Sequence, residues 1–408
     1  IDFMKLLQIS IEVNSGSVGR IAEQIGQKAI DCGWDSYIAY ARNNLPSKSQ
    51  TIKIGTLYDV YTHGVLTRIT DKHGFYSTHA TKKLIKQIDE IKPDIIHLHH
   101  LHGYYINIEV LFNYLTKVKT PIVWTFHDCW SFTGHCAHFD YIGCNKWKTG
   151  CYECPQKNEY PASFLYDRSK KNYEEKKEIF NSVGNMTIVP VSNWLGKLVK
   201  QSFLKKYPVN VIQNGIDIEM FKPLNNIDQI KDRYKLKDEF IILGVASTWT
   251  VRKGFQDFIE LSKLLINNEK IILVGLSRKQ IKILPLNIIG IERTENVQQL
   301  ADLYSIANVF VNPTHEEALG LTNIESLACG TPVITYNSGG SPETIDDKTG
   351  IVIEKGNIDK ILEAVRLIKY NEKEKYSVDC RNRAVRHFNK QDRFMEYIKL
   401  YDSLLSVK

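Results

Sequence analysis

No apolar run in the 408 residues approaches the ~20 that a membrane-spanning helix needs, so no segment reads as a helical span. With no leader-like opening either, the protein is expected to be soluble and cytoplasmic. Low-complexity tracts and sequence repeats are missing, which sets aside fibrous and repeat architectures. The first glycine-bearing loop lacks the third spaced glycine and the acidic residue of the dinucleotide fingerprint, so dinucleotide binding is not indicated. Net negative charge is absent too. The formal charge is +7, and residues 1–212 carry all of it, with 26 lysines and arginines against 19 acidic residues; the remainder balances at 27 against 27. Such one-sided charge suits an acidic partner. No nucleic-acid-binding motif accompanies it, so an anionic membrane surface or acceptor is the better match. Hydrophobic residues at 43% and charged residues at 24% are ordinary globular values, and the length suits two or three domains.

Taken in order, Met4–Val13 reads as the first strand and Ile21–Ile30 as a helix. Between them Gly16 and Gly19 either let backbone approach a ligand or serve turn geometry. Tyr37–Tyr40, Ile52–Ile54, Ile95–Leu98 and Ile122–Thr125 read as further strands, with Lys82–Ile91 a basic amphipathic helix. His97 and His99 would share one strand face and His100 the other, which favours polar lining over a metal site. His127 follows a strand at its carboxyl end, where open α/β sheets bind ligands; a histidine bonded within its own loop is the alternative. Asp167–Ser182 reads as a charged helix and Thr187–Val191 as a strand. Ser192–Tyr207 reads as a helix whose lysines flank a core-facing stripe or a membrane-surface face.

Cys129–Pro155 is the most unusual stretch and holds five of the eight cysteines. Cys136, Cys144, Cys151 and Cys154 form a compact set ending in the Cys-x2-Cys of metal knuckles. Four thiolates suit a tetrahedral zinc, which would be structural because no position stays open for chemistry. Free buried thiols, or one or two disulfides, are the alternatives. Stapling of this kind would keep a long irregular insert ordered.

In the second half, Phe240–Ala246 reads as a strand, followed by a loop with Arg252 and Lys253 that suits a diphosphate, and a helix over Phe255–Ile266. Ile271–Val274 and Ile288–Gly290 are the next strands. Val309–Asn312, Leu321–Cys329 and Pro332–Tyr336 then spell strand, helix, strand, with Gly330 as the helix stop. Glu317 and Glu325 bracket the helix start, seven residues lying between them. The backbone N–H groups of Gly320, Leu321 and Thr322 suit a phosphate there. On their own, two carboxylates at a helix start could simply be solvated.

Glu317-x7-Glu325, followed by Cys329-Gly-Thr-Pro-Val and then Gly339-Gly-Ser-Pro-Glu343, resembles the retaining nucleotide-sugar glycosyltransferases of group 1, family four. Within them it resembles the bacterial surface-polysaccharide enzymes. The resemblance spans nearly the whole chain and is densest over residues 240–345. It implies an α/β GT-B fold, two Rossmann-like domains facing across a cleft, with a C-terminal helix crossing back to the first. Val211–Asp217 resembles the family's hinge, and Glu292–Ala307 resembles the family's helix before the central strand–helix–strand unit. Residues 1–212, with the insert 129–155 and the C-terminal helix 392–408, would be the acceptor domain, and residues 213–391 the donor domain.

The resemblance further implies that Glu317 faces the transferred sugar, that Glu325 holds the ribose hydroxyls and that His127 touches the sugar. Lys253 and Arg252 would meet the diphosphate with Gly320, Leu321 and Thr322. Gly16, Gly19 and Arg20 would lie near the donor phosphates, and the base near Ile291. The chain departs from the family at Thr248, where an arginine is usual, and Arg252 is the candidate substitute. No two aspartates stand one residue apart, so the Asp-x-Asp metal clamp of the other main glycosyltransferase architecture is missing and no catalytic metal is expected. The implied donor is a UDP- or GDP-sugar. The implied acceptor is a glycan or lipid-linked glycan in capsular, exopolysaccharide or O-antigen synthesis, and the implied location is cytoplasmic or peripheral at the inner face of the cell membrane. A nucleotide-sugar epimerase or a non-catalytic sugar-nucleotide-binding protein of the same fold is the alternative. An epimerase needs acid–base residues in the cleft, and intact Glu317, Glu325, Lys253 and His127 weigh against a non-catalytic role.

Overall fold

A computed structural model describes residues 3–224 and 227–406; residues 1, 2, 225, 226, 407 and 408 lie outside it. The short Ile-, Leu- and Val-rich runs are buried on both faces, which suits parallel sheets covered by helices. The chain divides into two compact units. One ends at Gln213 and takes the chain back from Phe394, and the other is Asn214–Arg393.

The first unit contains, in chain order, β1 (Lys5–Ile9), β2 (Glu12–Val13), β3 (Asp35–Tyr40), β4 (Arg42–Asn44), β5 (Gln50–Lys53), β6 (Ile95–Leu98), β7 (Ile122–Phe126) and β8 (Met186–Pro190). Six of these pair in parallel in the order β5-β3-β1-β6-β7-β8, while β2 pairs only with β4. The second contains β9 (Phe240–Val245), β10 (Glu269–Val274), β11 (Ile288–Ile291), β12 (Val309–Asn312), β13 (Val333–Tyr336) and β14 (Gly350–Ile353). They pair in parallel in the order β11-β10-β9-β12-β13-β14. Each sheet starts in its middle and winds outward both ways, the Rossmann order. The winding reverses between β1 and β6 and between β9 and β12, and loops at the carboxyl ends of those strands are where such sheets bind ligands.

Several boundaries differ from the sequence reading, each for a local reason. The expected first strand splits, because Glu12 and Val13 leave the main sheet to pair with β4. The following helix is Gly16–Asp31, so Gly16, Gly19 and Arg20 lie in its first turns rather than in a loop. A side chain on Gly19 would come within 2.9 Å of the Glu12 carbonyl oxygen, so this glycine serves close helix–strand packing. The helix expected over Ser192–Tyr207 is Asn193–Gln201. It stops where Ser202 turns extended and its hydroxyl bonds Val199 O while accepting from Leu204 N–H. The helix Val297–Ile306 starts later than expected because Asn296 caps it, accepting from Gln299 N–H at 2.8 Å. Among the described residues no helix is long and apolar enough to cross a membrane.

The helix expected over 392–408 is described over Lys390–Ser406, and its last two expected residues lie outside the described range. Phe394, Tyr397, Ile398 and Tyr401 join Leu6, Ile25, Trp34, Ile95, Val123 and Val189 in one core of the first unit. Tyr401 is fully buried, its ring centroid 5.8 Å from that of Trp34 and its hydroxyl 2.7 Å from His97 Nδ1. Tyr401→Ala is therefore expected to destabilise the first unit by about 3–5 kcal/mol and Tyr401→Phe by about 1 kcal/mol. Urea midpoints of the two variants measure this, and equal losses would show that the ring's packing is not what matters.

Candidate active site

In the second unit three loops meet at the carboxyl edge of the sheet, after β9, β12 and β13. The β12 loop, residues 313–320, lies between the other two. Gly254 has φ +78° and a side chain on it would fall 2.2 Å from Pro313 O. Gly339 has φ +57° and its side chain would fall 1.9 Å from Glu317 O. Both positions need the left-handed backbone and the missing Cβ that only glycine supplies. Hydrogen bonds fasten the same strip: Gly340 N–H to Glu317 O at 2.9 Å, His315 N–H to Arg252 O at 2.8 Å, and Arg252 Nη1 to Glu316 O at 2.9 Å.

Held in this way, the Glu317 carboxylate pairs with the Lys253 ammonium, each side chain 23% exposed and so open to a ligand. Arg252, expected to meet a diphosphate, spends one guanidinium nitrogen on the loop itself. Thr248 bonds the adjacent Ser247 O. The helix Leu321–Ala328 opens after Gly320 at φ +94°, with no side-chain cap and with Leu321 and Thr322 half-buried. One turn in, Glu325 accepts from the buried Tyr304 hydroxyl at 3.0 Å. Burial first, and then the Glu325 charge, hold the Tyr304 hydroxyl well above its ordinary range, so it remains a donor. Ile291, at the end of β11, gives its carbonyl to Gly275 N–H and Leu276 N–H at 2.9 and 3.2 Å.

Sequence reasoning missed two supports of this site. Asp257 accepts from His315 Nε2 and from the Tyr336 hydroxyl, each at 2.9 Å, and so ties the β12 loop to the end of β13. Buried Asn323 accepts from Asn312 at 2.8 Å and donates to Ser341 Oγ and Thr344 Oγ1, each at 3.0 Å. An asparagine on the core-facing stripe of a short helix was the available signal.

In the first unit, histidines cluster at the ends of β6 and β7. His97 is internal, 2.7 Å from both Tyr401 Oη and Thr125 Oγ1. His99 lies 3.0 Å from Gln8 Oε1 and 3.2 Å from His127 Nε2, with the two rings stacked. His100, His102 and Asp128, a trio the sequence reading did not assemble, bring their ligand atoms within 4.8 Å of one another. Asp128 Oδ2 is 2.7 Å from His102 Nε2, whose other ring nitrogen is 2.9 Å from the Tyr160 hydroxyl. His102 and Asp128 therefore bond each other, while buried His100 Nε2 stands 3.3 Å from Asp128 Oδ2 without a hydrogen bond, in a geometry that could also hold a cation. Cys136, Cys144, Cys151 and Cys154 line a cavity in the insert, described below.

Residues 226–387 match the family described as Glycosyl transferases group 1, and residues 18–220 match Glycosyltransferase Family 4. The two matches between them span most of the chain, which belongs to the group 1, family 4 glycosyltransferases and has their GT-B fold. In sequence it is similar to WcaC of Escherichia coli (strain K12), whose name assigns it as a glycosyl transferase of colanic acid biosynthesis, with 24% identity over 387 residues and 90% of each chain covered. It is also similar to the capsular polysaccharide biosynthesis glycosyltransferase CapM of Staphylococcus aureus, 27% identical over 226 residues, 51% of this chain and 59% of CapM. In fold it is similar to sucrose-phosphate synthase of Thermosynechococcus elongatus, at TM-score 0.74 and 18% identity over 99% of this chain and 100% of that one. Anabaena HepE, solved with UDP and glucose, matches at TM-score 0.69 and 13% identity over 98% of this chain and 100% of that one.

The buried imidazoles give the first unit a pH dependence. Burial, then the neighbouring His127, lowers His97 to about 3; burial, then His99, lowers His127 to about 3. His99 and His100 are also held well below their ordinary range, chiefly by burial. Such a group is neutral when folded, whereas the unfolded chain takes up its proton below about pH 6.5. The stability is thus complete above about pH 6.5 and is lost as pH falls towards 3, by roughly 2 kcal/mol at pH 5 for one such histidine. Urea midpoints at pH 7 and pH 5 are expected to differ, and His97→Gln to narrow the gap. An unaltered gap in that variant would contradict the assignment.

Proposed function

We propose that the protein transfers a sugar, with retention, from a UDP- or GDP-sugar to a glycan or lipid-linked glycan in the synthesis of a bacterial surface polysaccharide. The observation that carries this reading is the Lys253–Glu317 pair, set beside an uncapped helix start where the second sheet reverses its winding. A donor diphosphate competes for Lys253 and takes the Leu321 and Thr322 N–H groups, which meet charge as it develops on the leaving group. Glu317, released from its lysine, faces the sugar, where positive charge grows as the leaving bond breaks. Glu325 accepts from the ribose hydroxyls. HepE, solved with UDP and glucose, supports a nucleotide-sugar donor, and the names of WcaC and CapM support a polysaccharide product. In the first unit, neutral His127 can exchange hydrogen bonds with sugar hydroxyls, and the net positive charge favours an anionic membrane surface that presents a lipid-linked acceptor. Turnover on this reading needs no catalytic metal and is expected to survive chelation.

The two glutamates separate in kinetics. Glu325→Gln is expected to weaken donor binding about tenfold or more, the worth of a charge-assisted hydrogen bond, and to raise KM with it. Glu317→Gln is expected to leave donor affinity intact or tighter, since Lys253 no longer has to be freed, and to lower kcat by about 10²–10³. Calorimetric titration with UDP- and GDP-sugars, run beside turnover, tests both. Loss of donor affinity in Glu317→Gln with full kcat at saturation would reverse the roles, and failure of the native chain to bind any nucleotide sugar would overturn the function.

A further inference from the structure

The insert after β7 holds no α-helix or strand from Cys129 to Pro155, only the 3-10 turns Trp130–Phe132, Asp140–Ile142 and Lys146–Lys148. Its aromatic centre is small: Trp147 lies 5.0 Å from Phe139 and 5.3 Å from Phe132, centroid to centroid. Beside it is a cavity of about 10 Å³ lined by Cys136, Cys144, Cys151 and Cys154, together with Phe139 and Trp147. None of the four cysteines is in a disulfide. The space suits one atom-sized guest, and the lining offers that guest four sulfur atoms.

Two further features fit a bound thiolate cluster. Gly134 N–H donates to Cys151 Sγ at 3.2 Å, and Gly134 can be only glycine, since a side chain would meet Ser169 O at 2.0 Å. Lys176, fully buried, donates to the carbonyls of Trp130 and Thr133; burial lowers it to about 7, and the nearby Cys151 and Cys136 oppose that by favouring its charged form. Among the described residues it forms no ion pair with a carboxylate. A zinc ion with four thiolates carries a net double negative charge, which a buried ammonium offsets.

We propose that Cys136, Cys144, Cys151 and Cys154 bind one zinc ion in a closed tetrahedral site that pins the insert behind His127 and Asp128 onto the helix Ser169–Phe180. Binding releases the thiol protons to solvent and leaves no position open on the metal, so the ion holds structure and takes no part in transfer. This assignment stands whether or not the proposed transfer is correct.

Elemental analysis of the full chain, purified without added metal or chelator, is expected to give about one zinc per chain. Cys144→Ala should reduce this to below about a tenth and lower Tm by about 5 °C or more, whereas Cys144→His should retain the metal. Cys32→Ser, at an exposed cysteine outside the cluster, should change neither. If Cys144→Ala does not fold, titrating the native chain with a mercurial should release zinc in step with thiol modification. Native chain with less than about a tenth of an equivalent of zinc, with iron in its place, or with disulfides in its intact mass would overturn the proposal.

Discussion

The second unit depends on two places where backbone touches backbone. The strip from Pro313 to Gly320 fits because Gly254 stands on one side of it and Gly339 on the other, each without a Cβ and each in the left-handed region. A clamp made of main chain has few rotamers to lose and positions Glu317 more firmly than side-chain packing would. Lys253 precedes one of those glycines, so the clamp that holds the carboxylate also delivers its cation. Asp257 and Asn323 brace the clamp from beneath, each through several hydrogen bonds.

The two units treat polarity differently at the carboxyl edges of their sheets. In the second, a half-buried ion pair sits by a helix start, where opposite charges remain open to a charged ligand. In the first, a chain of contacts runs from Gln8 through His99 to His127, built of groups that stay neutral. Neutral donors and acceptors suit hydroxyl-rich molecules, because exchanging one hydrogen bond for another carries little desolvation cost. Fixed charge suits a diphosphate.

Much of the second unit was legible because its signals are local. Glu317, Gly320, Glu325 and the Gly339–Glu343 run lie within one strand–helix–strand passage, and the periodicity marked each element. The first unit was harder to read, because its polar cluster is assembled from distant segments. The cluster around Asp128 draws on His100 and His102 after β6 and on Tyr160 beyond the cysteine insert, and no spacing rule connects them. Gly19 misled for another reason: a glycine beside a strand end looks like a loop, and only the approach to Glu12 shows that it is a helix packing position. Ser202 ended a helix whose apolar spacing continued past it, because local side-chain bonding outweighed periodicity.

The helix Lys390–Ser406 has a consequence for biosynthesis. Its residues Phe394, Tyr397, Ile398, Leu400 and Tyr401 complete a core whose other buried members precede Gln213. On the ribosome that core stays open until all of Asn214–Arg393 has been translated, whereas the second unit has its whole sequence in one stretch. The later-made unit can therefore finish first, and the earlier one must wait with apolar surface exposed. Nascent chains at that stage are the ones most open to chaperone capture or misassembly.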